Sequence, residues 1–204
     1  MNKRRLFGID RSGPPPEATV AGRPLNPWTI PNAIGYVRLA LIPVFLIVAF
    51  SSDHGKSVLA ALLFAVIGWS DYLDGFTARL TGQYSRLGAL LDPVVDRLLV
   101  ISGMVVCWHF QLLPRWAIAV VVAREVFMLA VSRYGLSRGV DLHINWPGRL
   151  AVAPIMGAPF FAILGVHWLA LIMLYVGMAL ALTASMLYVR DGLRQLRDQG
   201  SSSA

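Results

Sequence analysis

The chain has 204 residues, 56% of them apolar and only 14% charged, and the apolar residues fall in runs long enough to cross a hydrocarbon core of about 30 Å. That pattern excludes a soluble globular fold, and the single cysteine, Cys107, excludes a disulfide framework and any Cys-based zinc site. The formal charge of +7 calls for no nucleic-acid partner, because the Lys and Arg residues gather in short connections between the apolar runs, as membrane topology and attraction to anionic lipid require.

In chain order, Met1–Asn26 comes first, with Lys3, Arg4, Arg5 and the stretch Gly13-Pro14-Pro15-Pro16-Glu17. It lacks the apolar content to fold alone, so residues 1–26 read as a disordered, basic and Pro-rich tail. A cleaved signal peptide does not fit: no apolar run follows the basic residues until about Thr29, and that run is long enough to be a permanent span. Hydropathy then predicts spans over Asn32–Phe50, Ser57–Arg79, Arg86–Phe110, Trp116–Leu136, Leu150–Val166 and Trp168–Val189. The last two form one apolar stretch that must fold back near Gly165-Val166-His167 to match the span length of about 20 residues. Pro43, Pro154 and Pro159 are expected to bend their helices around a cavity. The fold class is all-α: an integral membrane domain over residues 27–190, with six transmembrane helices around a cytoplasm-facing polar cavity. Residues 191–204 follow as a basic helix fading into a cytoplasmic tail.

Orientation follows from the cations. Lys3, Arg4, Arg5, Arg11, Arg23, Arg79, Arg86, Arg133, Arg138, Arg149, Arg190, Arg194 and Arg197 fall on one side of the predicted spans, and Lys56 and Arg115 on the other. Both termini are therefore expected in the cytoplasm, with the chain a multi-pass protein of the plasma membrane. The histidines, His54, His109, His143 and His167, show no metal-ligand spacing and read as interfacial.

The second and third spans carry Asp71, Asp74, Asp92 and Asp96 inside apolar surroundings. Each charge at the centre of a bilayer helix costs roughly 2.5–3.5 kcal/mol, so the group needs a compensating cation or a chemical purpose. The short turn Leu80–Ser85 makes the two spans an antiparallel pair with its tip at the cytoplasmic face. At 1.5 Å per residue, Asp74 and Asp92 lie about 7 and 9 Å inward from Arg79 and Arg86, and Asp71 and Asp96 about 12 and 15 Å inward, so the carboxylates match level by level. Asp71, Asp74 and Gly75 share one helical stripe, and Gly88, Asp92 and Asp96 another. Oxygen donors without His or Cys suit Mg²⁺, Mn²⁺ or Ca²⁺. Two ions balance the four charges better than one, as in two-metal phosphoryl chemistry. Gly75 and Gly88 leave room for a ligand beside the metals, or serve close helix packing.

The pattern Asp71-x2-Asp74-Gly75-x2-Ala78-Arg79-x8-Gly88-x3-Asp92-x3-Asp96 resembles at every position the signature of the CDP-alcohol phosphotransferases, integral membrane enzymes of phospholipid synthesis. The resemblance implies that the four aspartates hold two divalent ions, Mg²⁺ or Mn²⁺, against the pyrophosphate of CDP-diacylglycerol. It implies further that Asp71, Asp74, Gly75, Arg79, Ser85 and Gly88 bind that lipid nucleotide, and that Asp96 is the general base for the acceptor hydroxyl. The first span, with Thr29-Ile30-Pro31-Asn32, Arg38, Pro43 and Phe45, resembles the opening helix of phosphatidylglycerophosphate synthases, which favours glycerol 3-phosphate as acceptor. Arg38, Arg124, Arg133, Arg149 and Arg190 are candidates to bind an acceptor phosphate.

Two observations leave alternatives open. Gly148-Arg149 runs into Leu150-Ala151-Val152, where phosphatidylglycerophosphate synthases commonly carry a further lysine. Cardiolipin synthases of the same fold, with phosphatidylglycerol as acceptor, share the first-span pattern and Ser70-Asp71-Tyr72-Leu73-Asp74-Gly75; inositol phosphate and serine are weaker alternatives. Arg124 and Glu125, adjacent in an otherwise apolar span, offer either an acceptor contact or a structural one, and neighbours on a helix are expected to need separate partners. A membrane cation transporter or metal-binding protein is the reading from another class; a fixed Arg79 beside the carboxylates speaks against a cation path and for a phosphate site. The resemblance also implies a homodimer.

Overall fold

Thr29 starts the first helix. Its backbone is extended, its Oγ1 accepts from Asn32 N at 3.3 Å, and Pro31 follows where no N–H is missed. The computed structural model describes residues 26–81, 85–137 and 146–201, and they form α1 (Ile30–Phe50), a 3₁₀ turn (Asp53–Gly55), α2 (Val58–Thr81), α3 (Arg86–His109), α4 (Arg115–Ser137), α5 (Trp146–Leu164) and α6 (His167–Ser201). No strand occurs among the described residues. The expected tail before Asn26 and the connections at 82–84 and 138–145 lie outside them, as do residues 202–204.

Contacts divide the chain within α3 into two compact units, Met1–Val106 and Cys107–Ala204. In the first, α1 turns one stripe inward: Asn32, Gly35, Arg38, Ile42, Phe45 and Ala49 are buried, three or four residues apart. The opposite face is just as apolar and lies open, with Ile47 67% exposed; on α2, Trp69 is 77% exposed. A helix apolar all round whose outer face lies open is suited to lipid. Phe45 of α1 packs on Phe64 of α2 with ring centroids 5.4 Å apart, and Gly35 of α1 abuts Leu91 of α3. The Ser57 hydroxyl caps α2 by accepting from Ala60 N.

In the second unit α5 packs along α6, and α4 also packs on α6, where Trp116 meets Tyr175. The fold-back expected near Gly165 is a Schellman turn: Val166 N donates to Phe161 O, Gly165 N donates to Ala162 O, and Gly165 takes φ 91°. Gly177 of α6 lets the α5 backbone approach, since a Cβ there would stand 2.9 Å from Ile155 Cγ1 and 3.0 Å from Ile155 N. α6 has 35 residues, about 52 Å at 1.5 Å per residue, so it outruns a hydrocarbon core of about 30 Å and carries the 191–201 segment, where Arg194 and Arg197 are balanced by Asp191 and Asp198, as continuous helix. Ile30–Phe50 and His167–Arg190 are long and apolar enough to cross a membrane, with mean hydropathies of 2.3 and 2.1; Val58–Asp71 and Leu150–Leu164 are shorter apolar stretches. Cys107 is buried, as expected of an apolar filler.

Candidate active site

The buried stripe of α1 ends its polar part at Arg38, whose side chain is 1% exposed. A guanidinium at that depth must be paired, and its planar fork is paired in three directions. Nε donates to the Ile67 carbonyl of α2 at 3.1 Å, Nη1 to Asp71 Oδ1 of α2 at 3.2 Å, and Nη2 to Asp96 Oδ1 of α3 at 2.6 Å. Asp71 and Asp96, remote in sequence, thus sit at the two ends of one cation. Their side chains are 44% and 41% exposed, so each carboxylate rests on Arg38 and keeps open surface elsewhere. The Ser70 hydroxyl, donating to the same Ile67 carbonyl at 2.8 Å, completes this seat.

A second polar contact joins α1 to the start of α3. Ser85 caps α3, its Oγ accepting from Gly88 N at 2.9 Å, and the same hydroxyl donates to Asn32 Oδ1 at 2.8 Å. Asn32 is 1% exposed and its Nδ2 donates to the carbonyls of Asn26 and Pro27, so the amide ties three backbone segments together. A Cβ at Gly88 would stand 2.7 Å from Asn32 Oδ1 and 3.1 Å from Ser85 Oγ. The space beside Gly88 is therefore filled by Asn32, and the glycine is what permits the Asn32–Ser85 hydrogen bond.

Of the other residues singled out from the sequence, Asp92 lies half-buried on α3. Asp74, Gly75 and Arg79 belong to α2, Arg133 to α4 and Arg149 to α5, and their side chains lie outside the described ones. Arg190 is exposed on α6. In the second unit Arg124 Nε donates to Ser185 Oγ at 2.8 Å, and Nη1 pairs with Glu125. The expectation that Arg124 and Glu125 need separate partners holds only for Arg124 and Ser185. The long, flexible Arg124 side chain reaches its neighbour, and two charges in apolar surroundings gain from pairing.

Two features escaped sequence reasoning: the direct contact of Arg38 with the aspartates, and the bridging role of Asn32. Both stand in the first-span pattern, and their spacing from Thr29 puts them on one stripe with Phe45, which marks them as inward-facing polar groups in need of partners. The partners themselves come from helices that sequence spacing could not orient.

The donor chemistry fits a hard divalent cation. Asp71 and Asp96 offer carboxylate oxygen on open surface, and among the described residues neither His nor Cys joins them. Among the described residues no three such groups stand close enough to close around an ion, and the Asp74 side chain is not one of those residues.

Comparison with known proteins places this geometry. A model of the CDP-alcohol phosphatidyltransferase family matches residues 28–184. The chain is 37% identical over 129 residues to a protein of Mycobacterium tuberculosis (strain H37Rv) provisionally named a cardiolipin synthase, a match covering 63% of this chain and 61% of that protein. It is 36% identical over 166 residues to a cardiolipin synthase (CMP-forming) of Streptomyces coelicolor, covering 78% and 77%. It is 32% identical over 142 residues to the CDP-diacylglycerol–glycerol-3-phosphate 3-phosphatidyltransferase of Bacillus subtilis, covering 64% and 69%. The chain thus spans about three fifths of the mycobacterial relatives' length and more of the others. With its aspartates on α2 and α3 and a family match running through both, the chain belongs to the CDP-alcohol phosphatidyltransferase family and is an all-α, membrane-embedded protein.

Proposed function

We propose that the chain transfers the phosphatidyl group of CDP-diacylglycerol to an alcohol and releases CMP. The observation that carries this reading is the seating of Asp71 and Asp96 on one buried guanidinium, half-exposed, within a chain of this family. Asp71, Asp74, Asp92 and Asp96 would hold two divalent ions, Mg²⁺ or Mn²⁺, which when bound supply charge stabilisation at the pyrophosphate. Gly75, Arg79, Ser85 and Gly88 belong to the nucleotide side of the site, with Arg79 neutralising phosphate charge. The acceptor hydroxyl gives its proton to an Asp96 carboxylate oxygen as its own oxygen attacks the phosphorus bonded to diacylglycerol. The bond from that phosphorus to the bridging oxygen breaks, and CMP leaves with the electron pair.

The acceptor in this reading is glycerol 3-phosphate, giving phosphatidylglycerophosphate. The first-span pattern supports it, as does the name of the Bacillus relative. Arg124, Arg133, Arg149 and Arg190 are the cations available for its phosphate. A second reading, with phosphatidylglycerol as acceptor and cardiolipin as product, is favoured by the 36–37% identity to actinobacterial relatives named as cardiolipin synthases and by Leu150 following Arg149. Six spans over residues 27–190, cytoplasmic tails at 1–26 and 191–204, the plasma membrane and a homodimer complete the proposal. Purified protein with CDP-diacylglycerol and Mg²⁺ or Mn²⁺ is to be given glycerol 3-phosphate, phosphatidylglycerol or inositol phosphate in parallel, with lipid products resolved. The expected result is metal-dependent CMP release and a phosphatidylglycerophosphate band. Cardiolipin instead selects the second reading, and metal uptake into vesicles without CMP release defeats both in favour of transport.

A further inference from the structure

We propose that Arg38 is a fixed internal cation of the carboxylate site: a positioning residue that holds Asp71 and Asp96 at the two ends of one guanidinium and competes with divalent ions for their oxygens. The inference rests on the functional reading above, and it gives Arg38 a different role from acceptor binding. At 1% exposure its side chain is covered, while the carboxylates it touches are 44% and 41% exposed. An incoming phosphate therefore meets the aspartates before it meets the guanidinium. The Nε bond to the Ile67 carbonyl fixes the plane of the fork, and the plane fixes the directions in which Nη1 and Nη2 hold the two carboxylates. Those carboxylates lie on different helices, so Arg38 of α1 sets the separation between an ion ligand on α2 and the proposed base on α3.

The same placement sets charge. A permanent cation against Asp71 and Asp96 lowers the repulsion between them while no ion is bound, and it weakens the attraction of the same oxygens for an incoming ion. With four carboxylates and two divalent ions in balance, Arg38 leaves the loaded site net positive, the sign that suits a pyrophosphate diester. Lysine could supply the charge. It could not span both carboxylates, because its donors radiate from a single point.

The test uses the full chain in lipid nanodiscs, with free Mn²⁺ followed by electron paramagnetic resonance and CMP release measured on the same samples. Arg38→Gln is expected to bind Mn²⁺ at least fivefold more tightly than the unaltered protein. Its kcat should fall at least 100-fold, while the KM for the acceptor that the unaltered protein uses stays within threefold. Arg38→Lys is expected to keep Mn²⁺ affinity within threefold and still lose at least tenfold in kcat. Unchanged or weaker Mn²⁺ binding by Arg38→Gln overturns the proposal. So does full kcat in Arg38→Lys, or a tenfold rise in acceptor KM with kcat kept, which would return Arg38 to acceptor binding. Should Arg38→Gln fail to fold, the Arg38→Gln/Asp96→Asn pair restores the charge balance, and its Mn²⁺ affinity is expected at least fivefold tighter than that of Asp96→Asn alone. Absence of CMP release from the unaltered protein defeats the transferase reading, whereas the Mn²⁺ comparison judges Arg38 independently.

Discussion

In Met1–Val106 the polar groups stand on the buried stripes: Arg38 and Asn32 on α1 face inward with Phe45 and Ala49, and meet Asp71, Asp96 and Ser85. In Cys107–Ala204 close packing is carried by small residues, with Gly177 against the α5 backbone and Ala158, Ala162, Ala170 and Ala181 buried, and the described ion pair is Arg124 with Glu125. Both arrangements pair the polar groups just named, but at different cost. Small-residue packing desolvates no charge, whereas a buried guanidinium with two carboxylates is expensive to assemble and often no more stabilising than apolar residues of the same volume. The first unit bears that cost where the family's signature lies, which is where chemistry is expected to repay it. Substitutions in the first unit should therefore move activity, and substitutions in the second should move stability.

The sharpest form of the contrast is Asp96→Asn. Asn keeps an oxygen to accept from Arg38 Nη2, so the fold should survive with its elution profile unchanged. Removing a general base should still lower CMP release by roughly 10³-fold. Full activity in a folded variant would end the assignment of Asp96 as base.

Gly88→Ala comes next. Its Cβ would lie 2.7 Å from Asn32 Oδ1, so the Asn32–Ser85 bond must break or α3 must shift, at about 1–3 kcal/mol by analogy with overpacked cores. The expected readings are a lower melting temperature in detergent and a several-fold loss of CMP release. Asn32→Ala in the same chain should cost less than it does alone, because the two changes act on one contact. Strictly additive costs would mean that Asn32 is not what Gly88 accommodates.

These contrasts bear on what the sequence makes legible. Among the described residues the helices and their bounds follow from hydropathy and caps, so α1 to α4 fall within two residues of the predicted spans. α5 begins four residues earlier, at Trp146, since hydropathy starts only with Leu150 while Pro147 is already suited to a first helical turn. α6 runs to Ser201 because Asp191–Gln199 holds no proline and its Leu, Arg and Gln residues favour helix, which outweighs the single Gly192, although its charges end the apolar signal. The level matching of Asp71 with Asp96 was legible from rise per residue, and the structure joins those two through Arg38. Spacing puts Arg38 on the inward stripe of α1, but it could not supply the finer rotation of that helix against α2 and α3. That rotation decides whether Arg38 faces a substrate or the carboxylates, and it depends on packing at Gly35 and Phe45.

In the second unit, Gly177→Ala should cost about 1–3 kcal/mol, since its Cβ meets not only the Ile155 side chain but also the backbone of Ile155 and Pro154, which cannot move aside as a side chain can. CMP release by the folded fraction should stay within threefold. Loss of activity without loss of melting temperature would break the division between the units.

The mildest change is Ser185→Ala. Its hydroxyl accepts from Arg124 Nε and donates to the Ala181 carbonyl, and the substitution removes both bonds. The carbonyl already belongs to a helix ladder, and Arg124 keeps Glu125 as partner, so neither group is left without a bond. The net cost should be about 1 kcal/mol, read as a small drop in melting temperature, with turnover within twofold. Arg124→Met in parallel strands Glu125 instead, and should destabilise more than Ser185→Ala. If Arg124 binds the acceptor's phosphate, Arg124→Met also raises the acceptor KM while Ser185→Ala does not. That outcome would make the second unit a partner in the chemistry and confine its purely structural part to the Gly177 contact.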